Sequence, residues 1–120
     1  MIIALEVDGT IEVGNPPGPI TVETLASIAK LRYPSVIIVS DDYPKVLDRT
    51  DLSGHLIPAV GLERAPLAEK LKTLRALFPD EGRYIMVGVS NEAMNAAKDA
   101  GYEYMAPSQF LELLQRGELP

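Results

Sequence analysis

Short apolar runs alternate along the chain with segments of helical period. Ile2 to Val7 is apolar but for Glu6, Val36-Ile37-Ile38-Val39 is wholly β-branched, Tyr84 to Val89 is a third run and Tyr102 to Met105 a shorter one. Runs of this length and composition predict strands. Leu56 to Val60 predicts a weaker strand, since Pro58 lacks a ladder donor and is confined to a sheet edge or end. Between the runs lie helix signals. Thr21 is placed to cap a helix from Val22 to about Leu31, with Glu23 in its first turn and Leu25, Ile28 and Ala29 facing inward. Asp42 predicts a short capped turn over Tyr43 to Arg49. Pro66 stands at the first helical position of a segment whose Leu67, Leu71, Leu74, Leu77 and Phe78 form one apolar stripe. Ser90 or Asn91 opens a further helix closed by Gly101, and Ser108 opens the last, closed by Gly117. Strands apolar on both faces, alternating with helices, predict an α/β fold: a five-stranded parallel sheet between two helical layers. Gly14-Asn15-Pro16-Pro17-Gly18-Pro19 is too short for a domain and predicts a rigid loop or hairpin after the first strand.

Composition narrows the class. At 120 residues the chain accommodates one domain, and an apolar content of 47% excludes a disordered one. A chain of this size buries about two-thirds of its unfolded surface, enough to fold without staples. It has no cysteine, which fits a reducing compartment. Acidic side chains number 17 against 11 basic, a net charge of −6, which argues against nucleic acid and anionic membranes as partners. No apolar run approaches the ~20 residues of a membrane span. Met1 to Thr10 lacks a basic leader and meets Glu6 and Asp8 at once, so it does not read as a signal peptide. The expectation is one cytoplasmic domain.

In open α/β sheets, sites form at the carboxyl ends of the strands. The candidates are therefore Asp8-Gly9-Thr10, Ser40-Asp41-Asp42, Gly61-Leu62-Glu63-Arg64 and Gly88-Val89-Ser90-Asn91. Neither a G-x-x-x-x-G-K nor a G-x-G-x-x-G loop is present, so nucleotide cradles are unsupported. With His55 the only histidine, so are a Ser-His-Asp triad and multi-histidine metal sites; a surface or strand-cap role suits His55. A receiver-like signalling domain is disfavoured because no Asp ends the middle strand at Val60-Gly61.

Glu6-x-Asp8-Gly9-Thr10 resembles the D-x-D-G-T signature that opens the haloacid dehalogenase-like superfamily of phosphohydrolases. Val36-Ile37-Ile38-Val39-Ser40 is similar to that family's second motif, a strand ending in Ser or Thr. Glu63-Arg64-Ala65-Pro66 stands where the family has a Lys-Pro motif. Val87 to Gly101 is similar to its fourth motif, G-D-S-x-x-D before an A-A-K-x-A-G helix. The resemblance implies a Rossmann-like three-layer sandwich with strand order 5-4-1-2-3, strands numbered along the chain, so that Pro58 falls on an edge. It implies a single core domain over 1–120, with no cap between motifs two and three. It also implies catalytic positions at Glu6 and Asp8, phosphate-oxygen contacts from Ser40 and Arg64, and a Mg²⁺ beside Glu6 and Asp8, for which Asp41 or Asp42 after the second strand is a candidate replacement for the carboxylates of the fourth motif.

Departures from the family pattern fall on the chemistry. The nucleophile position is Glu6, one methylene longer than Asp, and a misplacement of ~1 Å can cost ~10²-fold in rate. Arg64 replaces a point charge by a planar fork. Val89 and Ala93 stand where two metal-holding carboxylates belong, and phosphoryl transfer depends on such charge compensation. Glu92, beside Ala93, suits the helix dipole better than a metal. The leading expectation is a non-catalytic or severely impaired relative, retained as a ligand-binding or protein-interaction module. The alternative is a Mg²⁺-dependent phosphomonoesterase with an altered shell drawn from Glu6, Asp8 and Asp41 or Asp42. Partners left open are a second copy of the chain, another protein, or a small phosphorylated ligand.

Overall fold

The computed structural model describes residues 1–31, 36–39 and 65–118. Their elements follow in the order β1 (Ile2–Leu5), α1 (Val22–Leu31), β2 (Val36–Ile38), α2 (Leu67–Leu77), β3 (Tyr84–Val87), α3 (Asn91–Ala100), β4 (Glu103–Met105) and α4 (Pro107–Gln115). The strands form one four-stranded, all-parallel sheet in the order β2-β1-β3-β4. The fifth strand expected over 56–60 lies outside the described residues, and with it the five-stranded order; so does the turn expected over 43–49.

Alternation along the strands divides the core in two. Ile3, Leu5, Ile38, Ile85 and Val87 pack against α1 and α4, where Leu25, Ala29 and Phe110 are buried. Ile2, Ala4, Ile37, Val39 and Met86 pack against α2 and α3, where Leu67, Leu71, Leu74, Ala93 and Ala97 are buried. The described elements therefore make the expected helix–sheet–helix sandwich, with strands apolar on both faces because both are covered. No helix among the described residues is long and apolar enough to cross a membrane.

Local signals resolve in detail. Thr21 Oγ1 accepts from Thr24 N–H at 3.1 Å, as a cap for α1 should. Ser90 caps α3, and Gly101 ends it in the left-handed region (φ 78°) that favours glycine. Pro66 is the N-cap of α2 rather than its first helical residue. Ser108 lies inside α4, whose cap is Ala106 and whose first residue is Pro107; proline there has no amide the helix would miss. The stripe on α2 stops at Leu74: Leu77 is 64% exposed and Phe78 is half-buried, because the helix ends as the chain leaves the sheet. The proline-rich segment forms a loop held by a bridge between Ile11 and Ile20, both fully buried. Gly18 is required in it, since a Cβ there would fall 2.2 Å from the carbonyl carbon of Thr10.

Candidate functional site

The carboxyl ends of β1, β2 and β3 meet where the ladder runs one bond past each strand: Glu6 N–H donates to Val87 O, Val39 N–H to Leu5 O and Gly88 N–H to Met105 O. Glu6 continues the Ile2–Ala4 alternation and so enters the layer of α2 and α3. There its carboxylate meets the start of α3. Oε1 accepts from Val89 N–H (3.1 Å) and Ser90 N–H (3.3 Å), and Oε2 accepts from Ser90 Oγ–H (2.7 Å). Ser90 Oγ in turn accepts from Ala93 N–H at 3.0 Å.

This is the hydrogen-bond pattern of a capping box, in which an acidic side chain three residues after the cap reaches back to the cap's own N–H. Here that residue is Ala93, which has no acceptor, and the carboxylate comes instead from the strand, 84 residues before Ser90. Gly88 makes the approach feasible, because a Cβ on it would lie 2.3 Å from Glu6 Oε1. Tyr104 Oη–H, donating to Gly88 O at 2.8 Å, holds that turn in place.

Asp8 faces its own loop, with Oδ1 accepting from Asn15 N–H at 2.7 Å. Gly9 (φ 75°) turns the chain and donates to Pro16 O at 2.6 Å. Val89 leans against it so closely that a Cβ on Gly9 would lie 2.7 Å from Val89 Cγ2. Thr10 is fully buried, its Oγ1 without a hydrogen-bond partner. Glu6 thus meets the Val89 backbone and Val89 rests on Gly9, while Asp8 turns to Asn15 and Ala93 is buried beneath Gly88. Glu92 is not brought to them; it lines an open groove of about 540 Å³ between α2 and α3, with Pro66, Leu67, Asn95 and Asp99. Ser40, Asp41, Asp42, His55 and Arg64 lie outside the described residues.

The sequence reading missed Lys70. It is 5% exposed, and its Nζ–H donates to Val39 O at 3.0 Å, placing an ammonium at the end of β2, next in register to Glu6. The signal was available: position 70 falls within the inward face set by Leu67, Leu71 and Leu74.

The described residues do not fit a Mg²⁺ shell. Both Glu6 oxygens accept protein hydrogen bonds, Asp8 Oδ1 is held by Asn15, and Val89 and Ala93 offer no oxygen from their side chains. Among the described residues no three His, Cys, Asp or Glu side chains converge. No family model, curated protein or solved structure matches the chain.

Proposed function

We propose that the chain is a capless haloacid dehalogenase-like core domain of the cytoplasm, with 56–60 as an edge strand beside β2 in the order 5-4-1-2-3, that no longer transfers phosphoryl groups and serves as a binding module. One observation carries this reading. The side chain at the nucleophile position is committed to capping α3, so the three donors at that helix start, suited to a phosphate oxygen, are filled from within. An attacking carboxylate needs a free oxygen aimed at phosphorus, and a metal to offset its charge against the ester. Glu6 offers neither as it stands.

The test is phosphatase turnover by the purified chain on a panel of phosphomonoesters with Mg²⁺ present, alongside thermal melts with and without the ion. The expected result is hydrolysis no faster than the buffer blank and a melting temperature indifferent to Mg²⁺. Mg²⁺-dependent turnover that Asp8→Asn abolishes would overturn the reading in favour of a phosphomonoesterase built on Glu6, Asp8 and Asp41 or Asp42.

A further inference from the structure

Among the described residues the exposed large hydrophobic side chains are Leu77, Val89 and Met94. Met94 differs from the other two in carrying an oxidisable atom. The chain has no cysteine, so its sulfur chemistry is confined to four methionines, all within the described residues. Three are sealed in the core. Met1 and Met105 are 3% and 4% exposed in the layer against α1 and α4, and Met86 is 0% exposed in the layer against α2 and α3. Met94 is 45% exposed.

Its place on α3 explains the difference. That helix buries Ala93, Ala96, Ala97 and Ala100, and Met94 falls outside the buried face, with exposed Glu92 and Asn95. A thioether there gains little from burial and meets solvent. The backbone that carries it is fixed, since Met94 N–H donates to Ser90 O at 3.2 Å as the first turn closes. The fold also decides what an added oxygen would do. At Met94, half in water already, a polar sulfoxide is hydrated. On Met86 the same oxygen would be an unpaired acceptor in a closed apolar layer. The core methionines are therefore shielded from oxidant until the chain unfolds, whereas Met94 takes an oxygen with the fold intact.

We propose that Met94 is a site of reversible sulfoxidation, with hydrogen peroxide as the oxidant and thiol-dependent sulfoxide reductases as the enzymes that restore it. A sulfur lone pair attacks one peroxide oxygen; the S–O bond forms as the O–O bond breaks, and the displaced hydroxide takes the proton from the transferred oxygen and leaves as water. Sulfur is oxidised by the electron pair that the peroxide gains. In the return step a pair of reductase thiols is oxidised to a disulfide and the sulfoxide oxygen departs as water. None of this chemistry depends on phosphoryl transfer, so it holds whether or not the domain hydrolyses an ester.

The test is treatment of the purified chain with dilute hydrogen peroxide, followed by intact mass, peptide mapping and NMR. The folded chain is expected to gain one oxygen atom, on Met94, at least about tenfold faster than on any other methionine, because the rest react only when the core opens. In urea that unfolds the chain the preference should vanish and every methionine should react. Amide shifts after the single addition should be confined to the start of α3 and its surroundings, with the melting temperature moved by no more than about 4 °C. Reductases for both sulfoxide epimers, with a thiol to recycle them, should return the original mass and spectrum. Met94→Leu should abolish the fast addition, and Met86→Leu, a volume-conserving core change, should leave it in place. Uptake shared with Met1, Met86 or Met105 in the folded chain, a Met94 as slow as those three, unfolding on the single addition, or an oxide that the reductases leave in place would overturn the proposal.

Discussion

Glu6 shows how one methylene can change the role of a position. Its carboxylate reaches past Gly88 to the start of α3 and takes three donors, where a shorter acid would stop short of Ser90. Glu6→Asp, one methylene shorter, is therefore expected to destabilise the fold by about 1 kcal/mol, the worth of a lost cap, as read by urea unfolding. An unchanged or raised midpoint would show that the cap is dispensable. Gly88→Ala should cost about 2 kcal/mol, because the new Cβ lands 2.3 Å from Oε1 and 3.0 Å from the Ala93 Cβ. In a Glu6→Ala background that cost should shrink, giving a coupling of about 1 kcal/mol in the double-mutant cycle; additive losses would mean that Gly88 serves something other than the carboxylate.

At the scale of elements, α2 separates what periodicity reports from what position decides. Leu74 and Leu77 both belong to the apolar pattern, but Leu74 is buried against the sheet while Leu77 stands 64% exposed at the helix end. Leu74→Ala should cost about 2–5 kcal/mol, and Leu77→Lys should stay within about 0.5 kcal/mol; comparable losses in thermal or urea unfolding would contradict this placement. The same distinction describes how much was legible from residues alone. Four of the five expected strands, the caps at Thr21 and Ser90 and the turn at Gly101 follow from local chemistry and are observed, while the run over 56–60 lies outside the described residues. Element ends were less legible: Ser108 looks like a cap, but Pro107, free of any amide to satisfy, starts α4 before it. Glu6 and Asp8 were legible as carboxylates at the end of the first strand, but their hydrogen bonds were not. That Ala93 leaves a capping position vacant is local information; that a residue 84 positions earlier fills it is not. Lys70 was readable from the helical period and was overlooked because lysine at an inward position contradicts hydropathy.

Across the whole molecule, stability should depend on pH through a residue far from the site. Burial, reinforced by Tyr84 and partly opposed by Arg75, pushes the Tyr102 phenol well above its ordinary value, and its O–H donates to Leu71 O at 2.6 Å. The unfolded chain then releases this proton first as pH rises past about 10. The contribution is intact below that pH and is lost as pH climbs toward the folded value. Tyr102→Phe should flatten the alkaline decline, at a cost of about 1 kcal/mol near neutrality for the missing hydrogen bond; unfolding midpoints across that range decide the matter, and an identical decline in the variant would assign it elsewhere. The cap supplied from β1 has a consequence for assembly as well. A helix carrying its own acidic partner can begin to form while the rest of the chain is still unfolded, within the limits of its costly nucleus. The start of α3 lacks that partner until β1 has paired with β3, so its first turn matures with the sheet. The contact spans 84 positions of the sequence, raising contact order and tying the maturation of α3 to the placement of β1.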